Sequence, residues 1–314
     1  MKQTASAISL WFHEAVMKVP RLKPLYEMLR DTILACADGQ LITQGAALSY
    51  YTFFAIAPLF LIVLAIAGYC FGEEAAQHEL FSEVSGMIGR NGSDAIQAIV
   101  IAASEPKTGV WATTIAITTL FIAATGAFIQ LQNSLNQIWQ VEQKKGFGVR
   151  SFIRHRLLSL AMVFGIGFLL LVSLTISAAL SAFGNFMGHY ISGQQIVMKL
   201  LNFAVSLGII TILFSMIFKF LPDVKVAWHN VWLGGFLTAI LFNVGKFLFG
   251  LYIGHSSTIS IYGAMGSLVI ILLWVYYSSL ILFFGAAFTR VYAQRGHSKP
   301  TPIRGAEFIT GQSA

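Results

Sequence analysis

Between Asn230 and Thr289 the chain runs for sixty residues with one formal charge, Lys246, and one histidine, His255. A helix needs about 20 apolar residues to cross the hydrocarbon of a bilayer, so this stretch is long enough to cross twice. Gly254-His255-Ser256-Ser257-Thr258 separates its two apolar halves and reads as a short polar turn. The expectation is a transmembrane hairpin with a lysine inside it. A lysine at the centre of a membrane helix costs roughly 2.5 to 3.5 kcal/mol on insertion scales, so Lys246 is where a functional reading starts.

Composition supports the membrane class. The chain is 56% hydrophobic and 11% charged, against about 25% charged for soluble domains. Its net charge of +7 matters less than where the charges sit. Cys36 and Cys70 flank the first expected span and cannot meet across it, so neither a disulfide nor a metal site follows from them. Residues 1–38 carry charges throughout, unlike the apolar core of a signal peptide.

The expected fold is all-α, with six transmembrane helices in a bundle. Residues 1–40 form a cytoplasmic N-terminal segment. In it Leu25, Met28, Leu29, Ile33 and Cys36 recur at helical spacing, as in a helix lying on the membrane surface or packed on the end of the bundle. Spans are expected over 46–71, 110–130, 157–183, 200–221, 230–253 and 260–288, within a membrane domain of residues 41–292. Pro58 falls inside the first span and predicts a kink. Residues 73–107 form a polar connection. There Asn91-Gly92 reads as a turn and Ser93 as the cap of an amphipathic helix. Lys219 and Asp223 bracket a Pro222 stop as a charge pair, and residues 293–314 read as a mobile cytoplasmic tail.

Orientation follows from the basic residues. Sixteen of the twenty lie in segments that six spans place on one side, and Arg90, Lys107 and Lys199 lie on the other. Lys246 is the twentieth. By the positive-inside rule both termini are cytoplasmic. The basic balance then reflects topology and contact with anionic lipid, and calls for no nucleic acid.

The stretch Gly45-Ala46-Ala47-Leu48-Ser49-Tyr50-Tyr51-Thr52-Phe53-Phe54-Ala55-Ile56-Ala57-Pro58-Leu59 resembles the first-span signature of the YihY/virulence factor BrkB family. Tyr262-Gly263-Ala264-Met265-Gly266-Ser267, Leu273-Trp274-Val275-Tyr276-Tyr277 and Phe284-Gly285-Ala286 resemble its last span. The resemblance covers residues 25 to 295. It implies a six-span, multi-pass protein of the bacterial cytoplasmic (inner) membrane, from a family labelled both as transport-like and as ribonuclease BN. Many members carry a glutamate directly after the last-span Gly-Ala, where this chain has Ala287.

The residues favour transport over nuclease chemistry. Metal-dependent phosphodiesterases need clustered His, Asp or Glu ligands. The seven histidines are scattered singly along the chain, so no catalytic set, metal site or cofactor is expected. No acid falls within an expected span core, which argues against a carboxylate proton relay. Lys246 lies about 23 Å along its helix from Val231, counted at 1.5 Å per residue, within snorkelling reach of the outer headgroups. Asn243 shares its face. A site of Lys246, Asn243 and Tyr50, Tyr51 or Tyr262 suits an anionic headgroup or phosphate. The amide-rich run containing Asn133 and Gln137 suits either helix–helix hydrogen bonds or a polar ligand. The expected function is transport of an anionic or lipid-like substrate, with membrane lipids as partners. The alternative is a non-transporting membrane scaffold.

Overall fold

A computed structural model describes residues 23–38, 40–104, 110–143, 194–255, 265–296, 299–303 and 305–309. Seven helices carry the fold among them. They are α1 (Lys23–Asp38), α2 (Leu41–Phe71), α3 (Glu73–Ser104), α4 (Val110–Trp139), α5 (Gln194–Phe220), α6 (Trp228–His255) and α7 (Gly266–Arg295). Four of these, α2, α5, α6 and α7, are long and apolar enough to cross a membrane, and at most 28% of each apolar window is buried inside the chain. Side chains such as Phe236, Ile240, Val244, Phe247 and Leu251 on α6 therefore face outward, as lipid-facing residues do. Helix α4 covers residues 110–130, the second expected span, and runs on to Trp139. The third, 157–183, lies outside the described residues.

Helix α7 is the axis of the bundle and packs against α1, α2, α3, α4 and α6. Glycines set the closest approaches. Gly45 of α2 leaves room for Leu280 and Tyr276, and Gly235 of α6 lies against Ser215 and the Thr211 carbonyl of α5. Two apolar cores stack along α7. One joins Phe283, Ala286, Ala287 and Ala293 to Leu135, Trp139, Phe218, Val226 and Val231. The other joins Ile270 and Ile271 to Ile56, Ile88, Ile96, Val100 and Phe249.

Several expectations change. Helix α2 runs unbroken from Leu41 to Phe71 with Pro58 inside it; this excludes a break at the proline, not a kink. The break in the following connection is at Gly89 (φ 77°, ψ 168°), not at Asn91-Gly92. A positive φ of that size is open to glycine and strained for asparagine. Ser93 does not cap a helix there. Its hydroxyl donates to the Phe81 carbonyl at 2.9 Å and joins the two arms of α3. Helix α1 packs on the end of the bundle against α7. Its Glu27 and Asp31 pair with Arg295 of α7 and Thr32 is fully buried, while Ile33 and Leu34 are exposed.

The tail differs most. Its described residues fold back and add two short strands. β1 (Val141–Gln143) pairs with β4 (Ala306–Phe308), and β2 (Val224–Lys225) with β3 (Thr301–Pro302), both antiparallel. Backbone bonds from Ile303 N–H to the Asp223 carbonyl and from Ile309 N–H to the Gln140 carbonyl complete a clasp over this end of the bundle. A composition rich in Gly, Pro and Ser hid these pairings, because short strands take their register from partners distant in sequence.

Candidate functional site

Lys246 sits eighteen residues after the first residue of α6, about 27 Å along its axis. Its Nζ lies 3.5 Å from Glu83 Oε1 on α3, with side chains 32% and 57% exposed respectively. The carboxylate missing from the spans is thus supplied by the polar connection. Asn243 donates one Nδ2 hydrogen to the Ala239 carbonyl at 2.9 Å. The tyrosine that packs on this turn is Tyr277 of α7, whose ring fills the space left by Gly245. Tyr50 stacks edge-on against Tyr51 and Phe54, and Tyr51 lies against Gly126 of α4. Tyr262 lies outside the described residues.

The amide-rich run on α4 divides between two faces. Gln137 Oε1 accepts from Gln44 Nε2 of α2 at 2.6 Å, and Gln44 Oε1 accepts from Gln130 Nε2 at 2.7 Å and Ser134 Oγ at 2.9 Å. These groups satisfy one another, so this face is a clamp between α2 and α4. Asn133, in contrast, is exposed.

The second face meets a residue that sequence reasoning read only as a helix stop. Asp223 is 3% exposed and does not pair with Lys219. The Lys219 ammonium donates to the Val226 carbonyl and lies over the Trp228 ring. Asp223 Oδ2 accepts from Asn136 Nδ2 at 2.9 Å and Gln143 Nε2 at 3.3 Å, and Oδ1 from Gln132 Nε2 at 3.5 Å. Asn136 Oδ1 accepts in return from the Asp223 backbone N–H at 2.8 Å. Every side chain bonded to the carboxylate is a donor. The amide-rich run was legible, but this partner was not.

Arg290 lies at the same end. Its Nη1 donates to the Ile138 carbonyl at 2.8 Å and its Nη2 to Gln140 Oε1. A cation there complements the carbonyl end of α4. No carboxylate lies within ion-pair distance of Arg290 among the described residues. Ala287, one turn earlier, is 1% exposed within the apolar core. No group of three or more His, Cys, Asp or Glu side chains close enough to hold a metal occurs among the described residues.

The family model for virulence factor BrkB matches residues 36–307. The chain belongs to the virulence factor BrkB family. Among its relatives, a UPF0761 membrane protein of Pseudomonas paraeruginosa is 27% identical over 83% of this chain and 63% of its own length. One of Ralstonia nicotianae is 29% identical over 60% and 42%, and one of Alkalilimnicola ehrlichii 28% over 86% and 58%. The chain thus spans less than two thirds of each of these relatives. No solved structure matches it. With its apolar helices, this BrkB-family chain is an integral membrane protein.

Proposed function

We propose that the protein moves an anionic or lipid-like substrate across the bacterial cytoplasmic membrane, with six spans and both termini in the cytoplasm. The side assignment is supported by the uneven placement of basic residues on the two sides of the expected spans. One observation carries the functional reading: Lys246 is a cation deep in an apolar helix whose counter-ion, Glu83, is an exposed carboxylate on another element. Such an ion pair contributes little to stability. An arriving anion can therefore take the place of Glu83 without leaving a buried charge behind. The reading is non-catalytic.

The test uses full-length protein in vesicles of phosphatidylethanolamine and phosphatidylglycerol, with translocation of headgroup-labelled phosphatidylglycerol as readout. Lys246→Met should abolish movement, and Glu83→Gln should preserve or speed it by removing the competing anion. Equal translocation by Lys246→Met and the native protein would sink this reading. The exposed acids of α3, Glu73, Glu74, Glu79, Glu83 and Asp94, favour a second one, a scaffold that binds a cationic partner. Inert vesicles combined with stoichiometric capture of a partner, lost on charge reversal of α3, would support it.

A further inference from the structure

We propose that Arg290, Trp139 and Asn230 form an oxyanion-binding site at the end of the bundle closed by the tail clasp. Three buried groups there are left without partners: Arg290 Nε, Trp139 Nε1, and both Nδ2 and Oδ1 of Asn230. Trp139 is 2% exposed and Asn230 fully buried. Buried polar atoms without partners are uncommon in native proteins, and each points to a bound group or to strain.

Contacts place the three residues around one junction, where α4 ends, α6 begins and α7 ends. Arg290 grips Ile138 and Gln140, the two neighbours of Trp139 in sequence. Asn230 lies one turn before Gly234 on the same face of α6, and Gly234 touches Thr289, the residue before Arg290. The first turn of α6 adds the positive end of a 28-residue helix.

The chemistry that fits is a phosphate. Arg290 brings a charge with no carboxylate partner among the described residues, and the buried acid at this end, Asp223, is already held by three amides. Three unpaired donors, one of them on the guanidinium itself, lie around this junction. A water could satisfy one or two of them but would leave the guanidinium without a counter-ion, whereas a phosphate has acceptors for all of them and matches the planar guanidinium. The phosphate could come from a lipid headgroup or from solution. This site is separate from Lys246 and does not depend on transport.

The experiment measures equilibrium binding of radiolabelled inorganic phosphate to the full chain in phosphatidylcholine nanodiscs, beside Trp139→Phe and Asn230→Leu. Trp139→Phe removes the N–H together with part of the ring, and should weaken binding by about tenfold or more, the loss typical of a hydrogen bond to a charged group. Asn230→Leu removes unpaired polar atoms, so it should raise the melting temperature without phosphate while weakening phosphate binding by a similar factor. Arg290→Gln should abolish binding. If that variant misfolds, the first two still decide. Phosphatidylglycerol in the discs that displaces free phosphate would assign a headgroup, and failure to displace it a soluble anion. Native protein that binds no phosphate in either disc, or unchanged affinity in both Trp139→Phe and Asn230→Leu, would overturn the site.

Discussion

Gly234 and Thr289 interlock across the α6–α7 contact. A Cβ on Gly234 would lie 1.8 Å from Thr289 Oγ1, and a Cβ on Gly285 would lie 1.8 Å from Thr238 Oγ1. Each threonine hydroxyl donates to the carbonyl of the glycine one turn earlier on its own helix, Thr238 to Gly234 and Thr289 to Gly285. The contact is reciprocal. Two glycines admit two threonines, and neither hydroxyl enters the apolar interior unsatisfied. Gly234→Ala should therefore cost about 1–3 kcal/mol or more, as overpacking does. Thermal denaturation in detergent checks it, and Gly234→Ala/Thr289→Ala should recover part of the loss. Additive losses in the double variant would show that the two residues do not touch.

The clamp of Gln44 with Gln130, Ser134 and Gln137 ties α2 to α4. Polar contacts between membrane helices average about 0.6 kcal/mol and reach about 1.7. Gln44→Leu should destabilise the protein by about 1 kcal/mol, with a non-additive Gln44→Leu/Gln137→Leu pair. A melting temperature unchanged by Gln44→Leu would contradict the clamp.

Asp223→Asn would turn an amide donor toward three amide donors. Burying unsatisfied polar groups costs about 1–3 kcal/mol, and the cost falls where Asp223 meets the tail strand. Limited proteolysis should cut between residues 296 and 309 faster in Asp223→Asn than in native protein. Equal protection would separate the carboxylate from the clasp.

Burial pushes the Cys36 thiol from 9.0 up to about 11. The thiolate is the reactive form, so alkylation of the folded Cys70→Ser protein should keep rising about tenfold per pH unit past pH 9. In the denatured chain it should level off near 9. The fold holds this proton more tightly than the unfolded chain does. Its contribution to stability is therefore complete below pH 9 and lost as pH rises toward about 11. A plateau near 9 in the folded protein would mean that the thiol is not desolvated.

Much of the fold was legible. The apolar runs placed α2, α5, α6 and α7 to within about seven residues at each end, because a bilayer demands a long apolar segment wherever the chain crosses it. The break at Gly89 was misplaced by two or three residues, since Asn91-Gly92 is the stronger local turn signal and only glycine's open φ range favours position 89. The candidate sites were less legible. Lys246 stood out as a lone charge, but Glu83 lies 163 residues away. Asp223 looked like the end of a helix because its neighbours in sequence, Lys219 and Pro222, supplied a local explanation.

The sequence by itself determined that this is a helical membrane protein, where four long apolar helices lie, and that Lys246 falls inside one of them. Those outcomes depend on hydropathy, which each segment carries alone. Tertiary structure decided the partners. Asp223 meets Asn136 across 87 residues, and Arg290 meets Ile138 across 152. Glycines against threonines set how closely the helices approach. Distance and direction decide a hydrogen bond, and both come from packing between segments.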